Sequence, residues 1–113
     1  MRKVVIESPY AANGLFTVEQ NVTYLRKCLR DCLLRGEAPY ASHALYTQPG
    51  VLNDDIPQER EHGIQAGFAF REVVDCTVVY TDLGITKGMQ YGIDDATQKG
   101  RPIEYRSLNV TPL

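Results

Sequence analysis

Residues 84–89 combine two glycines with a lysine at a predicted junction between a strand and a helix. Glycines let a ligand approach the backbone closely, and the free N–H groups at the start of a helix attract a phosphate or a carboxylate. The spacing is neither a Walker A motif nor G-x-G-x-x-G, and the alternative is that the glycines only shape a tight turn. The candidate ligand-binding residues here are Asp82, Gly84, Ile85, Thr86, Lys87, Gly88 and Met89.

Two further groups with useful chemistry follow the first and second predicted strands. Ser8, Pro9 and Tyr10 follow the first strand, where Tyr10 can stack on a base and Ser8 can bind an oxygen atom. His43 follows the second strand, where an imidazole can donate a hydrogen bond or carry a proton. All four are candidate ligand-binding residues. The alternative is that Tyr10 packs its own loop and that His43 is structural.

The cysteines do not predict a metal or disulfide site. Cys28 and Cys32 are four residues apart on a predicted helix, and Cys76 stands alone, so no CxxC spacing occurs. The sequence also contains no HExxH motif, EF-hand loop or Ser-His-Asp order. We therefore expect three buried thiols, no metal and no cofactor.

Length and charge narrow the possible functions. The chain has 113 residues, and 12 basic against 14 acidic side chains give a net charge of −2. This length fits one domain, which we assign to residues 1–113. The negative charge argues against duplex nucleic acid as a partner, because phosphate backbones need a positive surface. The apolar run before Glu7 is too short for a signal peptide or a membrane span, so we expect a cytoplasmic protein with no membrane partner.

Short apolar runs alternate with amphipathic segments, and this alternation positions the candidate residues. It predicts an α/β fold, a three-layer flavodoxin-like or Rossmann-like domain with a short parallel sheet of strand order 2-1-3-4. Ligands bind such sheets at the carboxyl ends of the strands, here between the first and third strands. The predicted strands are residues 3–6, 37–41, 77–81 and 103–105, and the predicted helices begin after Thr17, Asp55 and Thr86.

The helix boundaries and buried faces can also be predicted. Thr17 and Gln20 fit a capping box, and Asp55 is expected to cap the second helix. Residues 42–46 are predicted as a loop, and residues 47–55 as a lid or an oligomer contact. The predicted buried stripes are Val18, Val22, Leu25, Leu29 and Leu33 in the first helix, Ile64, Phe68 and Val73 in the second, and Met89, Ile93 and Ala96 in the third.

Several motifs occur together along the chain: VVIESPY at 4–10, NVTY at 21–24, APYASH at 38–43, EREHG at 59–63 and GITKGM at 84–89. In this combination, residues 3–106 resemble a family of small phage and bacterial domains. That family is similar to a branch of the nucleoside 2-deoxyribosyltransferase superfamily. The resemblance implies a flavodoxin-like fold, a nucleoside or nucleotide ligand, and homo-oligomers in which a neighbouring subunit helps to close the pocket.

The resemblance also implies two carboxylates that this chain replaces with glycine. The superfamily nucleophile is a glutamate three residues after the Gly-Met pair, and here that position is Gly92. The aspartate that commonly anchors the sugar falls near Gly67. Glycine cannot form a glycosyl ester, so it is open whether the chain is an enzyme. A relocated carboxylate is the remaining route to catalysis, and the candidates are Glu7, Asp82 and Asp95.

Three functions follow from these observations. The first is a module that binds a nucleotide or a nucleotide-derived molecule without cleaving it. If the chain is phage-encoded, this module would be an anti-defense protein that sequesters a host signal nucleotide in the host cytoplasm. The second is a deoxyribosyltransferase or N-glycosidase that acts on a nucleoside or nucleotide through a relocated carboxylate. The third is an oligomeric interaction domain whose cleft is vestigial.

Overall fold

The β-branched runs form one parallel sheet. In the computed structural model, which describes residues 1–108, strand β1 (Arg2–Glu7) pairs with β2 (Glu37–Tyr40) on one side and with β3 (Cys76–Tyr80) on the other. Strand β4 (Ile103–Arg106) pairs with β3, and the strand order is β2-β1-β3-β4. The predicted α/β flavodoxin-like fold and its strand order are therefore confirmed.

Four helices connect the strands. Helix α1 (Val18–Leu34) connects β1 to β2, α2 (Ser42–Leu45) and α3 (Pro57–Arg71) connect β2 to β3, and α4 (Lys87–Gln98) connects β3 to β4. The prediction of a loop at residues 42–46 was wrong, because a single helical turn is too short to show a period. Val73 lies beyond α3 and is exposed, so its predicted burial was also wrong. Within residues 1–108, no helix is long and apolar enough to cross a membrane.

The core has one part on each face of the sheet. Val78 of β3 belongs to the cluster packed under α1, whereas the next residue, Val79, packs against Met89 and Ile93 of α4. Successive strand residues point to opposite faces, so one strand contributes to both parts of the core. The predicted stripe of α4, which also includes Ala96, is buried.

The buried face of α1 differs from the predicted stripe. Val18 and Leu33 are exposed, while Asn21 is fully buried. The Asn21 Nδ2 atom donates hydrogen bonds to the carbonyl oxygens of Tyr10 and Ala11, at 3.0 and 3.2 Å. A polar side chain with hydrogen-bond partners can be buried, so α1 turns this side toward the sheet and anchors the loop that carries Tyr10. The buried residues of α1 are Asn21, Tyr24, Leu25, Cys28 and Cys32.

The two predicted helix caps have different outcomes. At α1 the capping box is confirmed, because Thr17 Oγ1 accepts from the N–H of Gln20 and Gln20 Oε1 accepts from the N–H of Thr17. At α3 the prediction of an Asp55 cap was wrong, since Ile56 occupies the N-cap and makes no side-chain hydrogen bond there. Asp55 instead donates its N–H to Asn53 Oδ1 at 3.0 Å. An Asx turn at Asn53 therefore leads the chain into α3.

Candidate functional site

A cavity of about 610 Å³ lies at the carboxyl ends of β1 and β3. Its walls come from the loop after β1, the short helix α2, the inner face of α3 and the beginning of α4. This is the place at which the strand order reverses and where a ligand is expected. The volume lies within the range of roughly 300–1,000 Å³ that is usual for small-molecule sites.

The fold brings most of the predicted ligand-binding residues to this cavity. Pro9 is buried but does not line it, and Asp82 lies outside the lining as well. The remaining predicted residues line the cavity, where they can contact a ligand, and their binding roles stay predictions. The predicted residues that line the cavity are Ser8, Tyr10, His43, Gly84, Ile85, Thr86, Lys87, Gly88 and Met89.

The three candidate nucleophiles are separated by the fold. Glu7 lines the cavity, whereas Asp82 and Asp95 do not. Asp82 accepts a hydrogen bond from the Tyr24 hydroxyl at 2.5 Å, which ties the end of β3 to α1. Asp95 forms ion pairs with Lys99 at 2.9 Å and with Arg101 at 3.3 Å. Of the three, Glu7 is therefore the candidate that a ligand in this cavity would meet.

A buried ion pair between Glu7 and Arg71 forms the floor of the cavity. Glu7 ends β1 and Arg71 ends α3, and each side chain is 8% exposed. The guanidinium lies over the Phe68 ring, with Cζ 5.1 Å from the ring centroid. Burial lowers the pKa of Arg71. The pair brings a carboxylate and a guanidinium to one spot and leaves the floor without net charge.

Gly92 of α4 lies against this ion pair. A Cβ atom at this position would be 2.5 Å from Nη2 of Arg71 and 2.6 Å from Cδ of Glu7, closer than real Cβ contacts. Any larger residue at position 92 would therefore force the ends of the Glu7 and Arg71 side chains to move. Gly67, the other implied carboxylate position, is buried, and a Cβ there would be 3.3 Å from Ser42. The ion pair occupies the space that a glutamate at position 92 would need.

A serine–histidine contact forms part of the cavity wall. Ser8 Oγ and His43 Nε2 are 3.0 Å apart, and the Tyr10 ring meets the imidazole edge-on at 6.1 Å. Burial lowers the pKa of His43 to about 4. The imidazole is therefore neutral at neutral pH and can donate one hydrogen bond and accept another. This pair suits an uncharged polar group on a ligand.

We expect His43 to make the protein less stable as the pH falls from 6.5 toward about 4. The histidine pKa is about 4 in the folded state against an ordinary value of 6.5, so between these values the unfolded state binds a proton that the folded state does not. The urea midpoint should fall less between about pH 7 and about pH 5 in His43→Gln than it does in the wild type. His62→Gln, at an exposed histidine of α3, is the matched control and should behave like the wild type. An unchanged pH dependence in His43→Gln would contradict the burial of a neutral imidazole.

The long connection at residues 47–55 forms another part of the wall. It is held in shape by hydrogen bonds from the N–H of Leu52 to the carbonyl of Tyr46, at 2.9 Å, and from the N–H of Asn53 to Glu59 Oε1, at 3.0 Å. Tyr46, Leu52 and Glu59 all line the cavity. Its role as a lid or an oligomer contact stays a prediction.

In the part of the chain that the structure describes, no group of three or more His, Cys, Asp or Glu residues is placed to hold a metal ion.

Comparisons with known proteins agree with this architecture. The family model for a domain of unknown function, DUF7768, matches residues 2–106. The chain belongs to the DUF7768 family. A 2-deoxyribosyltransferase from the psychrotolerant bacterium Bacillus psychrosaccharolyticus, described as a biocatalyst for the synthesis of antiviral and antitumoral nucleosides, has a similar structure. The TM-score is 0.63 and the identity 16%, over 93% of this chain and 72% of the transferase. No curated protein matches the chain.

For this member of the DUF7768 family, the structural likeness confirms the fold that the sequence resemblance implied. At 16% identity it shows a shared fold and no more. The strand order of this chain and the place of its cavity at the carboxyl ends of β1 and β3 are those expected of such a fold. The activity and the ligand of this DUF7768 chain depend on the side chains of its own cavity.

Sequence reasoning missed Arg71, the residue that most changes the chemistry of this DUF7768 site. A basic residue in the last turn of a helix interacts favourably with the helix dipole, so this position alone was no reason to assign Arg71 to the site. A signal was present, because Ile64, Phe68 and Arg71 share one face at helical spacing. The predicted stripe continued to Val73, two residues too far. Other lining residues without a predicted role in the site are Tyr46, Arg60 and Tyr91.

Proposed function

We propose that this member of the DUF7768 family binds a nucleoside or nucleotide in the cavity without cleaving its glycosidic bond. The observation that carries the proposal is the Glu7–Arg71 ion pair under Gly92. A covalent nucleophile must have its carboxylate free to attack an anomeric carbon. Next to the place implied for the nucleophile, this chain has a carboxylate that is paired with a guanidinium. The cavity thus keeps the size for a ligand while its floor is unsuited to attack.

The walls supply contacts for the different parts of a nucleotide. Aromatic rings can stack on a base. The N-terminus of α4, with Lys87 beside it, favours an anionic group such as a phosphate. The acidic and basic side chains that line the cavity are equal in number, so the cavity has no net charge. A charged ligand would therefore be held by individual side chains and N–H groups. The aromatic lining residues are Tyr10, His43, Tyr46, Phe68 and Tyr91, and the charged ones are Glu7, Asp54, Glu59, Arg60, Arg71 and Lys87.

A protein that holds its ligand intact removes that ligand from solution. For a phage-encoded chain, we propose that the ligand is a host signal nucleotide and that the protein acts by sequestration in the host cytoplasm, as an anti-defense protein. A homo-oligomer in which a neighbouring subunit closes the pocket belongs to the same proposal. The open edge of the cavity between the loop after β1 and residues 47–55 is where such a neighbour would sit.

The alternative is a deoxyribosyltransferase or N-glycosidase in which Glu7 is the nucleophile. Two observations favour it: Glu7 lines the cavity, and a 2-deoxyribosyltransferase shares the fold. Attack by Glu7 would require Arg71 to release the carboxylate first. Because that step exposes a buried charge pair, the binding function is the better supported of the two.

Mass spectrometry of retained and released molecules separates these functions. The protein is incubated with ribonucleosides, 2′-deoxyribonucleosides and their 5′-phosphates, freed of unbound ligand, and unfolded. Recovery of an intact nucleoside or nucleotide supports the binding function. Continuous release of free base that stops in Glu7→Gln supports the alternative. Retention of none of these molecules and no release of base would contradict both functions and favour an interaction domain.

Gly88→Val should lower ligand retention at least tenfold in this assay, an order-of-magnitude expectation for a blocked contact between a ligand and the start of a helix. Within residues 1–108, the nearest neighbour of an added Cβ atom would be Thr86 Oγ1 at 3.9 Å, so we expect the variant to fold. Gly14→Val is the matched control, because an added Cβ atom there meets no other described residue within 4 Å and Gly14 does not line the cavity. Full retention by folded Gly88→Val would show that the anionic group binds elsewhere.

A further inference from the structure

We propose that the Glu7–Arg71 pair binds the hydroxyl groups of a ribosyl moiety, so that the protein takes ribonucleosides or ribonucleotides in preference to their 2′-deoxy forms. This inference rests on the proposed binding function and names its ligand class.

The floor offers hydrogen-bond acceptors and donors side by side. Glu7 contributes carboxylate oxygens, and Arg71 contributes guanidinium N–H groups. Both side chains line the cavity and are 8% exposed, so a ligand that lies on the floor can contact them. A hydroxyl group both donates and accepts, and two neighbouring hydroxyls match a carboxylate and a guanidinium together.

A base is a poor match for the floor. Bases need a free aromatic face for stacking, and the Phe68 ring is the aromatic group that belongs to the floor. The Arg71 guanidinium lies over one face of that ring, 5.1 Å from its centroid, and a base cannot stack on that face. Tyr10, Tyr46 and Tyr91 line other parts of the cavity, so the base finds its stacking partners on the walls.

A phosphate is also a poor match for the floor. The Glu7 carboxylate repels an anion, and the Arg71 charge is already balanced by that carboxylate. The beginning of α4 offers N–H groups and Lys87 instead. Gly92 lies five residues beyond Lys87, which is roughly 7–8 Å along a helix. The anionic group and the floor are therefore separate parts of one site, and the sugar is the part of the ligand that remains for the floor.

Calorimetric titration with matched ligands tests this on the unaltered protein. The probes are the 5′-monophosphates of adenosine, guanosine, cytidine and uridine, each compared with its 2′-deoxy form, and for adenosine also with its 3′-deoxy form. For the base that binds, we expect loss of one hydroxyl to weaken binding roughly tenfold to a hundredfold, as for other hydrogen bonds to charged groups.

Removing both charges together tests the role of the pair itself. The double variant Glu7→Gln with Arg71→Gln leaves no unpaired buried charge, so it is more tolerable than either single change. We expect the double variant to bind the ribonucleotide no more tightly than it binds the 2′-deoxynucleotide. Lys87→Ala is the matched control: it should weaken both ligands by the same factor and leave their ratio unchanged. Circular dichroism checks that each variant is folded.

The outcomes separate this inference from the proposed function. A preference for ribose in the wild type that disappears in the double variant supports the inference. Equal affinity for ribonucleotides and 2′-deoxynucleotides overturns it and leaves the binding function standing. Binding of no nucleotide or nucleoside overturns both. A preference that survives in a folded double variant shows that other residues recognise the sugar and overturns the assignment to Glu7 and Arg71.

Discussion

Arg71→Met is expected to lower the free energy of unfolding by about 3–5 kcal/mol. The substitution keeps the aliphatic packing against Phe68 but leaves the buried Glu7 carboxylate without its partner. An unpaired buried charge costs more than the ion pair itself contributes, so the loss comes mainly from Glu7. Urea denaturation measures it, and the loss should shrink at acidic pH, because protonation neutralises the unpaired carboxyl group.

Two comparisons show whether this loss comes from the buried charge. Adding Glu7→Gln to Arg71→Met should restore most of the lost stability, since the uncompensated charge is then gone. Arg60→Met, at an exposed arginine of the same helix, should change stability by less than about 0.5 kcal/mol. A loss in Arg71→Met as small as that in Arg60→Met would contradict a buried ion pair at the floor.

Gly92→Ala is expected to destabilise the protein by about 1–3 kcal/mol, although alanine in a helix is usually better than glycine by about 0.5–1 kcal/mol. The added Cβ would lie 2.5 Å from Arg71 Nη2 and 2.6 Å from Glu7 Cδ, so the ion pair must move. Gly92→Glu should cost more, because it adds a third charged group to the same space. Chemical denaturation gives the stability, and the retention assay should show that Gly92→Glu no longer takes up ligand.

Gly88→Ala, in the first turn of the same helix, is the control for Gly92→Ala. The nearest atom to its added Cβ would be Thr86 Oγ1 at 3.9 Å, an ordinary contact. The helix propensity of alanine should therefore dominate, and the variant should be as stable as the wild type or more stable. If Gly92→Ala also gained stability, the close contact between α4 and the ion pair would be refuted.

The fold was predictable because its signals are local and repeat along the chain. Strand runs such as residues 77–81, the Thr17 capping box and the α4 stripe each indicate their element without tertiary information. Alternation of strands and helices then leaves few topologies, of which the observed order is one. The errors occurred where a tertiary contact decided the outcome. Asn21 is buried because of the carbonyl oxygens that it meets in the folded chain.

The position of the candidate site was predictable, but the chemistry of its floor was not. The carboxyl ends of β1 and β3 follow from topology alone. The resemblance drew attention to Gly92 as a missing carboxylate. That Glu7 and Arg71, 64 positions apart, meet beneath it depends on how α3 packs against α4, which no local pattern encodes. The sequence therefore showed that position 92 has no carboxylate without showing that an ion pair fills the space beside it.

The packing of Gly92 against Glu7 and Arg71 also limits how this chain can evolve. A mutation that places glutamate at position 92 meets space that is already filled. Losing Glu7 or Arg71 first would leave the other charge unpaired, so each order of single mutations passes through a less stable intermediate. A lineage with this arrangement is therefore held in it by epistasis. A glutamate at position 92 would need coordinated change at three positions that lie on three different elements of the fold.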